Sequence, residues 1–199
     1  MKTEKQVTEA EETGTIEPVF KRKKEMTCAA YQDQQTKGKL MLDFFCKISG
    51  VLCTGMVNRG KKCNETQVIN LGFKWNQNIV TGDHPNYKID YKKVVISKGD
   101  LGKPERAFVK QKTKLKVELC WKKTLNENAK STDQMCWLEY NASNKEGKLI
   151  TTDNLRCSGK DTMILKSPNI VGDEIHYWMF FISENGRKRS DSVYLGTLE

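Results

Sequence analysis

The chain has 199 residues, of which 34 are Lys or Arg and 25 are Asp or Glu, so its net charge is +9 and its pI is about 9.1. This length allows one large domain or two small ones and excludes a barrel enzyme of about 250 residues. The sequence contains no run of about 18 apolar residues and opens with no signal-peptide pattern, so it predicts no membrane span.

The first residues are dominated by charge. Residues 1–25 carry six acidic and six basic side chains and few large apolar ones. Such a segment cannot bury enough apolar surface to offset the entropy of ordering, so we predict a mobile charged arm over 1–26. At the other end, Leu198-Glu199 is typical of a cloning scar. We therefore expect that a natural leader, together with any membrane anchor, was removed, and the alternative is a natural cytosolic protein.

Seven cysteines divide into four before residue 64 and three after residue 119. They include no Cys-x-x-Cys pair, and neither histidine has a recognisable catalytic context, which argues against a metal site or a Cys-His nucleophile. We predict disulfides instead, with three connectivities open among the early four. For the later three we favour Cys136 with Cys157, and Cys120 with Cys136 is the alternative; one thiol is left over. The candidates are Cys28, Cys46, Cys53, Cys63, Cys120, Cys136 and Cys157.

Two glycosylation sequons agree with passage through the secretory route. They are Asn64-Glu65-Thr66 and Asn141-Ala142-Ser143. Together with the cysteines, they predict a location that is secreted or on the extracellular side of a membrane.

The N-terminal half shows short apolar segments separated by glycines. The candidate strands are 40–48, 67–75, 87–91 and 93–97. The first of these also fits a short helix, and this alternative stays open. Gly and Pro are dense over 98–104, which predicts a domain boundary. We therefore predict a cysteine-bearing β module over 27–101 and a second domain over 104–197.

The C-terminal half has a clear period of two. Over 114–121, Leu115, Val117, Leu119 and Trp121 alternate with charged residues, as in a half-buried antiparallel strand. Further strands are predicted at 135–140, 162–166 and 192–195. Residues 175–183 are apolar on both faces, as a central sandwich strand would be, and Asn185-Gly186 indicates a hairpin turn. The predicted loops are 122–134, 141–161 and 184–191.

This half resembles a fibronectin type III or immunoglobulin-like β-sandwich. Pro104 opens it, Trp121 is similar to the second-strand tryptophan of fibronectin type III domains, and Tyr177-x-Met179-x-Phe181 is similar to their penultimate strand. Asp173-x-Ile175-x-Tyr177 resembles the tyrosine corner of immunoglobulin domains, but Met179 stands where their second cysteine would be, which favours the fibronectin form.

The resemblance implies a mostly β fold of two antiparallel β-sandwich modules. A cysteine-bearing module followed by a fibronectin type III domain also resembles a cytokine-receptor ectodomain, although the Trp-Ser-x-Trp-Ser box of that family is absent.

Sequence motifs of catalysis are missing. The chain contains no Gly-x-Ser-x-Gly, no phosphate-binding Gly-x-x-x-x-Gly-Lys and no His-Glu-x-x-His. We therefore expect a protein that is not an enzyme and that uses no cofactor.

Two groups of basic residues are candidate contact sites. Arg187, Lys188 and Arg189 lie at the predicted hairpin tip, and loops at a sandwich end often carry contacts. A row of lysines is predicted to alternate on one strand face, about 7 Å apart, where it could hold an acidic protein or a sulfated glycan. A solvated face that discourages aggregation explains the same spacing. The row is Lys110, Lys112, Lys114 and Lys116.

Among binding functions, nucleic acid fits least, because aromatic residues are not interleaved with arginine. We predict an extracellular protein-binding module, such as a receptor ectodomain, an adhesion module or a secreted decoy. It would act by stoichiometric capture of a protein ligand, and the alternative is a basic protein that binds glycan or nucleic acid.

Overall fold

The computed structural model describes residues 27–55, 64–113, 115–164 and 173–198, and these form three layers. Helices cover one face of a four-stranded sheet, and a three-stranded sheet covers its other face. The arm predicted over 1–26 lies outside the described residues.

The first layer is helical, so the prediction of a β module over 27–101 is wrong. Its helices are α1 (Cys28–Lys47), α2 (Ser49–Gly55) and α3 (Glu65–Trp75). Thr27 caps α1 by accepting a hydrogen bond from the Ala30 N–H, and Asn64 caps α3 in the same way from Thr66 N–H. Of the two alternatives for 40–48 the helix is correct, and the strand predicted at 67–75 belongs to α3.

The remainder of the predicted first module has little regular structure. A two-residue pairing joins β1 (Val80–Thr81) to β2 (Lys88–Ile89), and one 3₁₀ turn follows over Tyr91–Lys93. The strand predicted at 93–97 is not formed; this segment instead buries Val94 and Ile96 against the helices.

The C-terminal half is a seven-stranded antiparallel sandwich, as its alternating pattern predicted. Its strands are β3 (Glu105–Thr113), β4 (Lys116–Lys122), β5 (Gln134–Asn141), β6 (Glu146–Leu155), β7 (Lys160–Ile164), β8 (Ile175–Ile182) and β9 (Val193–Leu198). One sheet has the order β3-β4-β7 and the other β6-β5-β8-β9. The strand β6 occupies ten of the 21 residues of the predicted loop 141–161, so that loop prediction is wrong.

The strand order separates the two sandwich families considered from the sequence. In constant-type immunoglobulin domains the fourth strand joins the sheet of the first two strands. Here the fourth sandwich strand, β6, pairs with the third, β5. This order is incompatible with the constant-type immunoglobulin arrangement and supports a fibronectin-like sandwich.

The central strand β8 is buried at all eight positions, which confirms the two-sided apolar pattern. Tyr177, Met179 and Phe181 pack into the space between the sheets. Trp178 and Phe180, which point the opposite way, pack under the helices. The helical layer and the four-stranded sheet therefore share a hydrophobic core across the boundary predicted near 98–104.

A buried ion pair closes one end of the sandwich. Arg156 donates from Nε to the Asp133 carboxylate at 3.0 Å, and both side chains are 1% exposed. The Arg156 guanidinium also lies 3.8 Å from the centre of the Phe181 ring and donates to the Gly102 carbonyl. The Trp121 indole N–H donates to the carbonyl of Arg156 at 2.9 Å. These contacts satisfy two charges that would otherwise be costly to bury.

Breaking this pair should destabilise the fold strongly. We expect Arg156→Met to lower the free energy of unfolding by about 3–5 kcal/mol, because it leaves the Asp133 carboxylate buried without its cationic partner. Urea denaturation followed by tryptophan fluorescence measures the loss. Lys93→Met removes an exposed pair with Asp90 and serves as the control, with a loss below about 1 kcal/mol. Equal losses in the two variants would contradict the assigned role of the buried pair.

One histidine is buried at the opposite end of β8. His176 is 3% exposed, its ring lies 4.0 Å from that of Tyr91, and its Nδ1 is 2.9 Å from the Tyr194 hydroxyl. Its Nε2 lies 3.1 Å from a carboxylate oxygen of Glu174. Burial lowers the pKa of His176, and the charge of Glu174 opposes this shift without reversing it.

The lowered pKa of His176 predicts a loss of stability in acid. Between pH 7.5 and 5.5 the unfolded chain takes up a proton at this histidine more readily than the folded protein, so the free energy of unfolding falls as the pH falls. His176→Phe removes this proton uptake while keeping a ring beside Tyr91. We expect the wild type to lose more stability than His176→Phe over this interval in urea titrations. The same loss in both proteins would refute the assignment.

Candidate functional site

The strongest candidate site is the outer face of the three-stranded sheet. Along β4, Val117, Leu119 and Trp121 point into the sandwich and are buried. The residues between them point outward because side chains alternate along a strand. Cys120 and Glu118 are two of these outward residues, and they lie at the middle of the face.

The register of the neighbouring strands assigns the other members of this outer face. Across β4, Glu118 lies opposite Lys110 of β3 and Thr162 of β7. Cys120 lies opposite Phe108 and Lys160, and Lys116 lies opposite Ile164. The outer face thus combines apolar and basic side chains from three strands.

Exposed apolar side chains are concentrated here. Phe108 is 47% exposed and Ile164 is 69% exposed, and Leu115, in the turn between β3 and β4, is 41% exposed. Among the described residues only one other large hydrophobic side chain, Leu125, is as open. Single exposed apolar residues are normal on a protein surface, but two on one sheet face and a third in the adjoining turn make this face a candidate contact surface.

Charge on the outer face is unbalanced. The face carries five lysines and two glutamates, which leaves a net charge of +3. Glu105 pairs with Lys122 at 3.4 Å, and its pKa is lowered by hydrogen bonds from Thr124 and Lys122. The lysines are Lys110, Lys112, Lys116, Lys122 and Lys160.

Glu118 forms ion pairs with two of these lysines. Its Oε1 atom lies 2.9 Å from the Lys110 ammonium and 3.3 Å from that of Lys112. The Cys120 thiol donates to the same oxygen at 3.6 Å. The hydrogen bond from Lys110 is the main reason that the pKa of Glu118 falls to about 2, so this carboxylate is ionised at neutral pH.

The predicted lysine row exists in altered form. Lys110 and Lys112 lie on β3 and Lys116 lies on β4, so the row runs across two strands of a hairpin and not along one. Lys114 lies outside the described residues. The structure brings the other three lysines to one face, together with Glu118, which the sequence prediction missed. The alternation of Phe108, Lys110 and Lys112 was the available signal for an outward-facing strand.

The three basic residues of the predicted hairpin tip differ in exposure and in what they contact. The turn after β8 is formed as expected, with Gly186 at φ +67°, and Arg187 and Lys188 are exposed. Arg189 is half-buried and donates from Nε to the Thr54 carbonyl of α2 at 2.6 Å. Arg189 thus ties the hairpin to the helical layer, and burial lowers its pKa.

A cleft of about 500 Å³ lies beside this hairpin. Its walls carry three acidic and two basic side chains, so the charges are mixed in sign and favour no class of charged ligand. The charged residues are Glu127, Lys130, Asp133, Glu184 and Lys188.

The predicted disulfides of the later cysteines are wrong, because Cys120, Cys136 and Cys157 are free. Cys120 faces outward on the three-stranded sheet, whereas Cys136 is buried on the helical side of the other sheet, so the two point to different layers. Cys157 is exposed in a 3₁₀ turn.

Among the early cysteines, Cys28 and Cys46 are also free, which excludes two bridges within that group. Cys53 is the one cysteine of the described residues that is not a free thiol. Cys63 lies outside the described residues.

Both sequon asparagines have structural contacts. Asn64 caps α3 through its side-chain oxygen. The Asn141 amide donates to Asp173 at 2.8 Å, and its oxygen accepts from the Ser143 N–H at 2.9 Å. Glycosylation at either position stays a prediction.

Two other features are absent from the described part of the chain. It contains no group of three or more His, Cys, Asp or Glu side chains placed to hold a metal ion. It also contains no helix with the length and apolar character needed to cross a membrane.

Comparison with known proteins gives a family but no established activity. A family model described as "Family of unknown function (DUF6266)" matches residues 22–196. No curated protein matches the chain. Among solved structures, the fibronectin type III domain of the human collagen alpha-1(XX) chain matches with 14% identity, a TM-score of 0.38, and coverage of 50% of this chain and 84% of that one.

The free thiols should differ sharply in reactivity. Burial raises the pKa of Cys136 to about 12, so this thiol should react with iodoacetamide only after unfolding. Cys28, Cys46 and Cys157 are exposed and should be alkylated in the native protein. Mass spectrometry of peptides labelled before and after addition of urea measures this order. Rapid native labelling of Cys136 would contradict its position in the core.

Proposed function

We propose that this chain, which belongs to the DUF6266 family, is a protein-binding module that captures an acidic protein surface through the outer face of its three-stranded sheet. The proposal rests on one observation above all: lysines and exposed apolar side chains occupy the same sheet face. The mechanism is stoichiometric binding without catalytic turnover.

The mixture of side chains favours a protein partner. Phe108 and Ile164 would bury apolar surface against the partner, while the lysines would steer an acidic surface toward the face. Protein interfaces combine an apolar centre with a polar rim. A sulfated glycan or a nucleic acid backbone would use the lysines but would leave much of the apolar surface uncovered.

Charge argues against self-association through this face. Two copies docked face to face would bring together two surfaces that each carry a charge of +3, and like charges juxtaposed in an interface are unfavourable. An acidic partner would remove this repulsion.

The backing of the outer face supports a binding role. Val117, Leu119 and Trp121 anchor β4 in the sandwich core, so the outward side chains start from a rigid sheet. A rigid surface loses less conformational entropy on binding than a loop does. The exposed tip at Arg187 and Lys188 does not lie on this rigid sheet, and we therefore rank it second as a contact site.

An extracellular location remains part of the proposal. The free thiols weaken the disulfide argument for an oxidising compartment, since five cysteines of the described residues are unpaired and only Cys53 is not a free thiol. The sequons at Asn64 and Asn141, together with the bonded Cys53, are the remaining support.

Charge reversal on the outer face should weaken binding strongly. We expect Lys116→Glu/Lys160→Glu to weaken binding of a fluorescein-labelled peptide of eight glutamates and two leucines by about tenfold or more near 50 mM salt, where electrostatic contacts are weakly screened. Fluorescence anisotropy measures the affinity, and circular dichroism checks that the variant is folded.

The matched control carries the same change in charge at the hairpin tip. Arg187→Glu/Lys188→Glu should bind the peptide nearly as well as the wild type. If only this variant loses binding, the contact site is the hairpin and our assignment is wrong. If the wild type binds heparin but not the peptide, the glycan alternative replaces the protein ligand.

A further inference from the structure

We infer that Glu118 competes with the ligand. Its carboxylate engages two lysines of the outer face and thereby limits the affinity of this face for acidic partners. This inference rests on the proposed function, because it concerns the regulation of the same face. It assigns to one carboxylate of this face a role in selecting ligands.

The geometry places Glu118 where an acidic group of the ligand would bind. Lys110 and Lys112 both direct their ammonium groups to its Oε1 atom, at 2.9 and 3.3 Å. The Glu118 side chain is only 13% exposed, whereas those of Lys110 and Lys112 are 42% and 46% exposed. An approaching anion would therefore meet the lysines first and would share them with the carboxylate underneath.

The lysines of this face fall into two classes. Lys110 and Lys112 are engaged by Glu118, and Lys122 is engaged by Glu105. Within the described residues Lys116 and Lys160 form no ion pair, and both are exposed. The open lysines can receive a ligand directly. The engaged ones contribute fully only when the ligand offsets their attraction to Glu118.

Surface ion pairs contribute little to stability, so this arrangement is not explained by folding alone. Its effect on binding is larger, because the negative charge of Glu118 lies directly below the site of contact. Because the pKa of Glu118 is lowered, the carboxylate keeps this charge at neutral pH, and the competition operates there. A sparsely acidic partner would bind through the open lysines only. A densely acidic one would also recruit Lys110 and Lys112.

Neutralising Glu118 should therefore strengthen binding. We expect Glu118→Gln to bind the eight-glutamate peptide about fivefold more tightly than the wild type, as removal of one nearby charge in water predicts. The salt dependence of the affinity should also become steeper. Glu184→Gln makes the same change in net charge on the distant hairpin and should leave the affinity unchanged.

A second pair of variants separates competition from a general change in charge or folding. In the wild-type background, Lys110→Met/Lys112→Met should weaken peptide binding less than it does in the Glu118→Gln background, because Glu118 already engages both lysines. In the Glu118→Gln background, the same double substitution should remove the whole gain. Urea denaturation confirms that each variant is folded.

The outcomes distinguish this inference from the proposed function. If Lys116→Glu/Lys160→Glu abolishes binding but Glu118→Gln leaves it unchanged, the face binds acidic ligands and the competitor role is overturned. If Glu118→Gln weakens binding, the carboxylate positions the lysines for the ligand and our inference is wrong. If neither the wild type nor Glu118→Gln binds the peptide, both proposals fail.

Discussion

The whole arrangement depends on the burial of β8 from both sides. Its odd-numbered residues, such as Tyr177 and Phe181, seal the space between the two sheets, and its even-numbered residues, such as Trp178 and Phe180, need a separate cover. A two-sheet sandwich alone would leave that second face in water, and an apolar area of this kind promotes association. The helices supply the cover. They are therefore part of the same folding unit as the sandwich and not an independent module beside it.

This dependence explains which parts of the fold the sequence revealed. Alternation along β4 and the two-sided apolar pattern of β8 are local signals, and both predicted the strands correctly. The run from Leu40 to Ile48 is ambiguous when taken alone, because its apolar spacing fits a strand as well as a helix. The helix is favoured because its apolar face buries Trp178 and Phe180, which lie more than 120 residues away in the sequence. The prediction of a disulfide at Cys136 failed for a related reason, since the shared core is large enough that Cys136 serves within it as an apolar side chain.

The candidate site was predictable in its chemistry but not in its geometry. A dense set of lysines between 110 and 116 predicted a basic face, yet the hairpin between β3 and β4 folds that set over two strands and brings Glu118 between them. Strand register is a long-range property that the composition of one segment does not contain. Arg189 illustrates the same limit. It looks like an exposed hairpin residue in the sequence, but its hydrogen bond to Thr54 spans 135 positions of the chain.

One outer surface of the sandwich is covered by helices and the other is exposed, and this difference is the best argument for a binding role. The chain covers its four-stranded sheet with its own helices, and it buries the large aromatic side chains there. Within the described residues no such layer covers the three-stranded sheet, although Phe108 and Ile164 project from it. Lysines lie on the same face as these apolar residues, and their like charges repel a second copy of the face. A strand face that is only solvated would not need this repulsion around so much exposed apolar surface. A surface that is apolar enough to bind and charged enough to reject itself is suited to a partner of opposite charge.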